Sequence, residues 1–171
     1  MDEILLVDVF DNVIGVEEKL KAHIDKKLHR AFSLFIVNGG KMLLQQRALH
    51  KYHSGGKWAN ACCSHPKPEE EIVSCVICRA KEELGIDVSK PKKLFDFIYY
   101  SEFDNGLVEY ELDNVFIVEY AGDVDFDKNE VMAIEWVDID CLAKDLVNNP
   151  SKYSTWFLSC APRVISMLKN D

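Results

Sequence analysis

The sequence predicts a single domain built on a mixed β-sheet covered by helices, in the α/β or α+β class. Three observations lead there. Runs of β-branched, aromatic and long apolar residues recur between turn signals such as Asn38-Gly39-Gly40 and Asp104-Asn105-Gly106, the pattern of hairpins. One stretch, Ile72 to Leu84, instead repeats Ile72, Val76, Ala80 and Leu84 every four positions, as a half-buried helix does. The chain has 171 residues, 48% hydrophobic and 29% charged, enough for one core with an ordinary globular surface.

In chain order, residues 3 to 16 read as an N-terminal hairpin turning at Asp11-Asn12. Glu17 to Arg30 is charged and aperiodic and reads as a loop. Ala31 to Val37 and Lys41 to Arg47 form a second hairpin, and Trp58 to Ser64 reads as one short strand after Ser54-Gly55-Gly56. Pro68 suits a helix start, with Glu69-Glu70-Glu71 expected in the first turn at the positive end of the dipole and Gly85 as the C-terminal cap. Lys93 to Ser101 and Leu107 to Tyr120 pair next, followed by a strand over 131–137 and a short helix over 139–147. Trp156 to Lys169 reads as a C-terminal helix that must absorb Pro162 by kinking or by starting late. No repeat, low-complexity segment or linker divides residues 1–171.

Composition narrows the partners. A formal net charge of −9 argues against nucleic acid, which needs a basic face. A small anionic substrate stays possible only if metal ions and a local basic cluster meet it. No apolar run reaches the roughly 20 residues that span a bilayer, so no membrane association is expected. The acidic start, Met1-Asp2-Glu3, lacks the basic region of a signal peptide, and a cytoplasmic location is expected. The six cysteines, two adjacent at Cys62-Cys63, read as reduced thiols, mostly buried.

The chemistry centres on Glu109-Tyr110-Glu111. In a strand, alternate side chains share a face, so these two carboxylates project together, roughly 7 Å apart. They repel unless a cation lies between them or one keeps a proton. An isolated Glu-x-Glu is most simply a solvated face, but three histidines change the balance. His23 and His29 are not at helical spacing, and His65 follows Cys62-Cys63-Ser64 at a strand-to-helix transition. His23, His29, His65, Glu109 and Glu111 would give five ligands around an octahedral ion with one open position. That set suits Mn²⁺ or Mg²⁺, and Zn²⁺ can also fill it. On the helix, Arg79 and Glu83 share a face. They make either a surface ion pair of little worth or a cation ligand beside a phosphate-binding arginine.

Several motifs occur in one order: His23; His29-Arg30-Ala31-Phe32-Ser33; Arg47-Ala48-Leu49; Trp58-Ala59-Asn60; Cys63-Ser64-His65-Pro66; Glu82-Glu83-Leu84-Gly85; Val108-Glu109-Tyr110-Glu111; and Tyr153-Ser154-Thr155-Trp156-Phe157. Together, from about residue 4 to about residue 160, they resemble the type 1 isopentenyl-diphosphate isomerases of the Nudix superfamily. The resemblance implies a Nudix-like sheet sandwiched between helices, with the N-terminal hairpin as an extension. It implies conversion of isopentenyl diphosphate to dimethylallyl diphosphate by protonation and deprotonation of the alkene. It also implies a hexacoordinate ion on His23, His29, His65, Glu109 and Glu111. Cys63 would be the catalytic thiol, Glu111 with Tyr99 the opposing proton-transfer pair, and Trp156 the ring facing the reacting carbons. Glu111 with Tyr99 is expected to deliver the first proton and Cys63 to remove the second. Glu83 would ligate a Mg²⁺ arriving with the diphosphate, held by Lys19, Arg47, Lys51 and Arg79. A monomer or weak homodimer is expected. Ser64 stands where the family has glycine, and Thr155 where it has proline.

Two other readings compete. A Nudix hydrolase of nucleoside diphosphates needs an Arg-Glu pair where this chain has Cys78-Arg79, and so would lose a central acid. A zinc or redox module on Cys62, Cys63, Cys75 and Cys78 lacks the paired spacings of a zinc ribbon.

Overall fold

The structure, a computed structural model, describes residues 2–51 and 53–170; Met1, Tyr52 and Asp171 lie outside the described residues. Its centre is β3 (His29–Asn38), whose apolar run Ala31–Val37 is buried on both faces. A strand covered on both sides reads as a near-continuous apolar segment, and this one does. Alternate residues feed two cores. Phe35 and Val37 face one with Val115, Trp156 and Phe157, while Phe32, Leu34 and Ile36 face the other with Val76, Ala80 and Leu84.

Around β3 the N-terminal hairpin, β1 (Glu3–Val7) and β2 (Val13–Glu18), joins at Leu6↔His29. β8 (Val108–Glu119) runs parallel to β3 from His29↔Glu111 to Val37↔Glu119 and pairs on its other side with β7 (Lys92–Glu102). β4 (Lys41–Arg47) meets β3 only at the hairpin turn and then diverges to pair with β9 (Val131–Asp138). Helix α2 (Ile72–Leu84) covers one core, and α3 (Ile139–Asn148) and α4 (Thr155–Asn170) cover the other. The expected helix-covered mixed sheet is therefore the observed fold.

Four local expectations need correction. The stretch expected to be a loop contains a helix, α1 (Lys19–Ile24), and its last residues begin β3. Six residues are too few to show a period; the helix is held instead by the Glu18 carboxylate, which accepts from the Leu20 and Lys21 amides. The single strand expected over 58–64 is two, β5 (Trp58–Ala59) on β4 and β6 (Cys62–Ser64) on β3, broken at Asn60-Ala61. Helix α2 begins at Ile72, so Glu69 and Glu70 precede it and Glu71 is its cap, accepting from the Ser74 amide at 2.8 Å. Of the two ways offered for absorbing Pro162, the late start does not occur, because α4 runs through it from Thr155.

Gly85 ends α2 as expected, with φ of 67° and its amide donating to the Lys81 carbonyl. A Cβ there would run into the backbone carbonyl of Asp125. Gly85→Ala adds a left-handed-backbone penalty to that clash and should cost about 2 kcal/mol or more, read from the urea unfolding midpoint. A midpoint within error of the parent would refute this account of the cap.

Candidate active site

Three elements converge on the face of β8 that carries Glu109, Glu111 and Asp113. The parallel register sets His29 of β3 beside Glu111, α1 brings His23, and the end of β6 brings His65. One ligand atom from each of His23, His29, His65 and Glu111 lies within 4.8 Å of all the others. His23 Nδ1 donates to the Lys19 carbonyl at 2.7 Å and His29 Nδ1 to the Lys27 carbonyl at 2.8 Å. Those bonds fix the tautomer and leave Nε2 as the lone-pair nitrogen of each ring. His65 Nε2 is 2.8 Å from Glu111 Oε1, and His29 Nε2 is 3.4 Å from the same oxygen. Burial lowers His23 and takes His65 down to about 4, keeping both imidazoles neutral. These two rings and His29, where burial opposes protonation but the Glu111 carboxylate outweighs it and raises the ring, converge on that carboxylate and form a donor set for a divalent cation.

Glu109 was expected in that set and stands outside it. Its Oε1 pairs with His53 Nε2 at 2.8 Å, and its Oε2 accepts from the Tyr99 hydroxyl at 3.1 Å. It shares the strand face but lies one pleat repeat from Glu111, and His53 engages it there. Tyr99 bridges the two acids, donating to Glu111 Oε2 at 2.6 Å. Repulsion between them is resolved by unequal ionisation: burial and the Glu111 charge push Glu109 up. Burial also opposes ionisation of Glu111, but the adjacent His65 and His29 rings outweigh it and hold that carboxyl well below its usual range.

Cys63 lines the same cavity, of about 370 Å³, as do Tyr99, Trp156, Glu111 and Asp113. Its Sγ is 3.1 Å from Asn60 Nδ2, 3.3 Å from Asn60 Oδ1 and 3.5 Å from Ser33 Oγ. Ser33 donates to Asp113 at 2.7 Å. Burial, reinforced by Asp113, pushes the Cys63 thiol up, and burial with the Glu111 charge pushes Asp113 up to about 8. Trp156, 3% exposed, donates from Nε1 to Asn60 Oδ1 at 3.2 Å. The Arg47 guanidinium lies 5.1 Å from the Trp156 ring centroid.

Lys19, Arg47, Lys51, Arg79 and Glu83 line this cavity too. Arg79 pairs with Glu82 at 2.8 Å and with Glu83, and Lys51 pairs with Glu130. The Nε atoms of Arg47 and Arg79 are buried without a hydrogen-bond partner, donors suited to an anion. Sequence reasoning missed His53, Ser33 and Asp113 and gave Asn60 no role. Asp113 was visible as the next same-face position after Glu109 and Glu111; the others carried no periodic signal.

The cysteine module is not formed. Cys62, Cys75 and Cys160 are buried free thiols, while Cys78 and Cys141 are exposed, so burial is less general than expected. Among the described residues, the only metal-competent group is the histidine–glutamate one. No helix among them is long and apolar enough to cross a membrane.

The NUDIX domain matches residues 27–157. The chain is 43% identical over 171 residues to isopentenyl-diphosphate Delta-isomerase 1 of Aromatoleum aromaticum, covering 99% of this chain and 96% of that protein. It is 40% identical to the isopentenyl-diphosphate Delta-isomerase of Burkholderia multivorans, covering 91% and 89%. Among solved structures, DR0079 from Deinococcus radiodurans superposes with a TM-score of 0.77 at 17% identity, covering 94% of this chain and 98% of that one. The MutT protein from Methanosarcina mazei Go1 follows with a TM-score of 0.67 at 20% identity, covering 84% and 96%. At those identities the structural likeness concerns the fold alone.

Proposed function

Because this chain belongs to the isopentenyl-diphosphate isomerase family of Nudix-domain proteins, we infer that its cavity converts isopentenyl diphosphate to dimethylallyl diphosphate. The conversion moves a double bond within an unactivated alkene. It needs a proton delivered to the terminal carbon, a tertiary cation that survives, and a proton removed from the adjacent methylene. One observation carries the assignment of residues: a half-buried thiol and a carboxylate gathered with three imidazoles line one cavity with an indole ring.

His23, His29, His65 and Glu111 would hold a divalent ion, with Glu109 adjoining through Tyr99. The nitrogen-rich donor set suits Mn²⁺ or Zn²⁺, and Mg²⁺ with more oxygen ligands. When bound, the ion supplies positive charge that keeps Glu111 ionised and fixed in place. Glu83 would ligate a Mg²⁺ accompanying the diphosphate. The unpartnered Nε donors of Arg47 and Arg79 support a diphosphate at that end, with Lys19 and Lys51 completing the basic cluster.

The resting charges favour a direction opposite to the one expected from sequence. Burial keeps the proton on Cys63, whereas a cation held by the three imidazoles would keep Glu111 ionised. That distribution supports Cys63 as the acid toward the terminal carbon and Glu111, positioned by Tyr99, as the base for the methylene proton. The proton must return from Glu111 to the thiol before the next turnover. The Trp156 face stabilises the intervening cation, an interaction of about 2 kcal/mol or more when desolvated. Contributions from Lys19 through Trp156 to one cavity support reading residues 1–171 as a single catalytic domain. Incubation with isopentenyl diphosphate and Mg²⁺ should yield dimethylallyl diphosphate. No product with metal-loaded, folded protein would overturn the function.

A further inference from the structure

Asn60 occupies the break between β5 and β6, is 0% exposed, and belongs to no regular element. Its amide makes five contacts with four groups. Nδ2 lies 3.1 Å from the Leu34 carbonyl, 2.9 Å from the Cys62 carbonyl and 3.1 Å from Cys63 Sγ. Oδ1 lies 3.2 Å from Trp156 Nε1 and 3.3 Å from Cys63 Sγ. Turning the amide over would set Oδ1 against two carbonyl oxygens and the NH₂ against the indole N–H. The neighbours therefore hold the amide one way round, with the two backbone carbonyls taking its hydrogens and its oxygen facing the thiol and the indole.

We propose that Asn60 is a positioning residue that fixes the Cys63 thiol and the Trp156 ring to each other through one side-chain amide. The proposal rests on the isomerase reading above, in which these two groups address the same cation. They come from distant parts of the chain: Cys63 from β6, Trp156 from the first turn of α4. The backbone joins those segments beside the same spot, where the Ser154 amide donates to the Trp58 carbonyl at 3.0 Å. That stitch sets the helix near the strand, and Asn60 hydrogen-bonds to both reacting-face side chains. A geometry shared through one amide means that losing either contact loosens both groups. Misplacement on the scale of an ångström is enough to slow such a reaction substantially.

The test uses the metal-loaded full chain with Asn60→Ser, Trp156→Phe and the double variant. Asn60→Ser should lower kcat about ten- to a hundredfold with KM for isopentenyl diphosphate within about twofold, because the diphosphate grip is untouched. Trp156→Phe keeps an aromatic face and removes the Nε1–H, so kcat should again fall at near-constant KM. The double variant should lose less than the product of the two single losses, since both remove one shared arrangement. In Asn60→Ser the Trp156 indole N–H, identified by its absence in Trp156→Phe spectra, should exchange at least about tenfold faster while the Trp58 and Trp136 indoles keep their rates. Unchanged indole exchange, or multiplicative losses in the double variant, would overturn the proposal. If Asn60→Ser does not fold, Trp156→Phe decides alone: a kcat within twofold of the parent overturns it. Absence of turnover in the parent would instead sink the isomerase reading, and the exchange measurement would still judge Asn60.

Discussion

Cys63→Ala should remove at least about a thousandfold of kcat, within the span of general acid–base contributions, while leaving fold and metal content intact. The substitution deletes one sulfur from a lining position and takes nothing from the four-residue cluster. Asn60 keeps both backbone carbonyls and the Trp156 indole as partners, and Ser33 keeps Asp113. Without the thiol, Ser33 is far too weak an acid to replace it, and the Asp113 carboxyl is engaged by the Ser33 hydroxyl. The measurement is product formation from isopentenyl diphosphate alongside the unfolding midpoint and metal analysis. Turnover within tenfold of the parent would remove Cys63 from the chemistry.

Glu111→Gln should fail differently, losing metal and turnover together. Glu111 is where His29, His65 and Tyr99 meet: Oε1 serves the two rings and Oε2 accepts from the phenol. An amide removes the negative charge and presents an NH₂ to a group that donates, so one face of that junction becomes repulsive. Bound metal should fall to below about a tenth of the parent, beyond the 10–100-fold affinity cost typical of merely supporting groups. kcat should fall by at least about a thousandfold, because anchoring and proton transfer vanish with one substitution. Glu109→Gln provides the contrast. Its carboxylate is taken up by His53 and Tyr99, so metal retention should be substantially better than in Glu111→Gln. Equal metal loss in the two variants would show that both acids ligate.

The sequence made the sheet and its long helix readable because those segments carry strong periods. Ala31–Val37 is apolar on both faces, and Ile72, Val76, Ala80 and Leu84 keep one face. α1 was invisible because its stability comes from the Glu18 cap and from burying Ala22 and His23, neither of which leaves a repeat in six residues. The metal-competent group was legible from residue type and motif order, though not from spacing. His23 and His29 are brought together only because α1 folds back onto the start of β3. Glu109 sits outside the compact four-residue group for a complementary reason. Period two says which face a carboxylate takes, but only the fold brings His53, 8% exposed and stacked on Phe103 at 4.4 Å, within reach of it. Asn60 shows the same limit, since an irregular residue between two short strands has no pattern to betray five contacts.

The parallel pairing of β3 with β8 has a consequence for how the protein comes to exist. Ser33 and Asp113, joined across it, are 80 positions apart in the chain, so the central contact of the molecule is among its least local. Closing so long a segment must precede any reward from the pairing, which slows acquisition of the native topology. During synthesis, the three histidines leave the ribosome well before Glu111 does. A nascent chain can therefore carry most of its cation-binding groups without any means of assembling them, and metal uptake should mark one of the last events on the folding route.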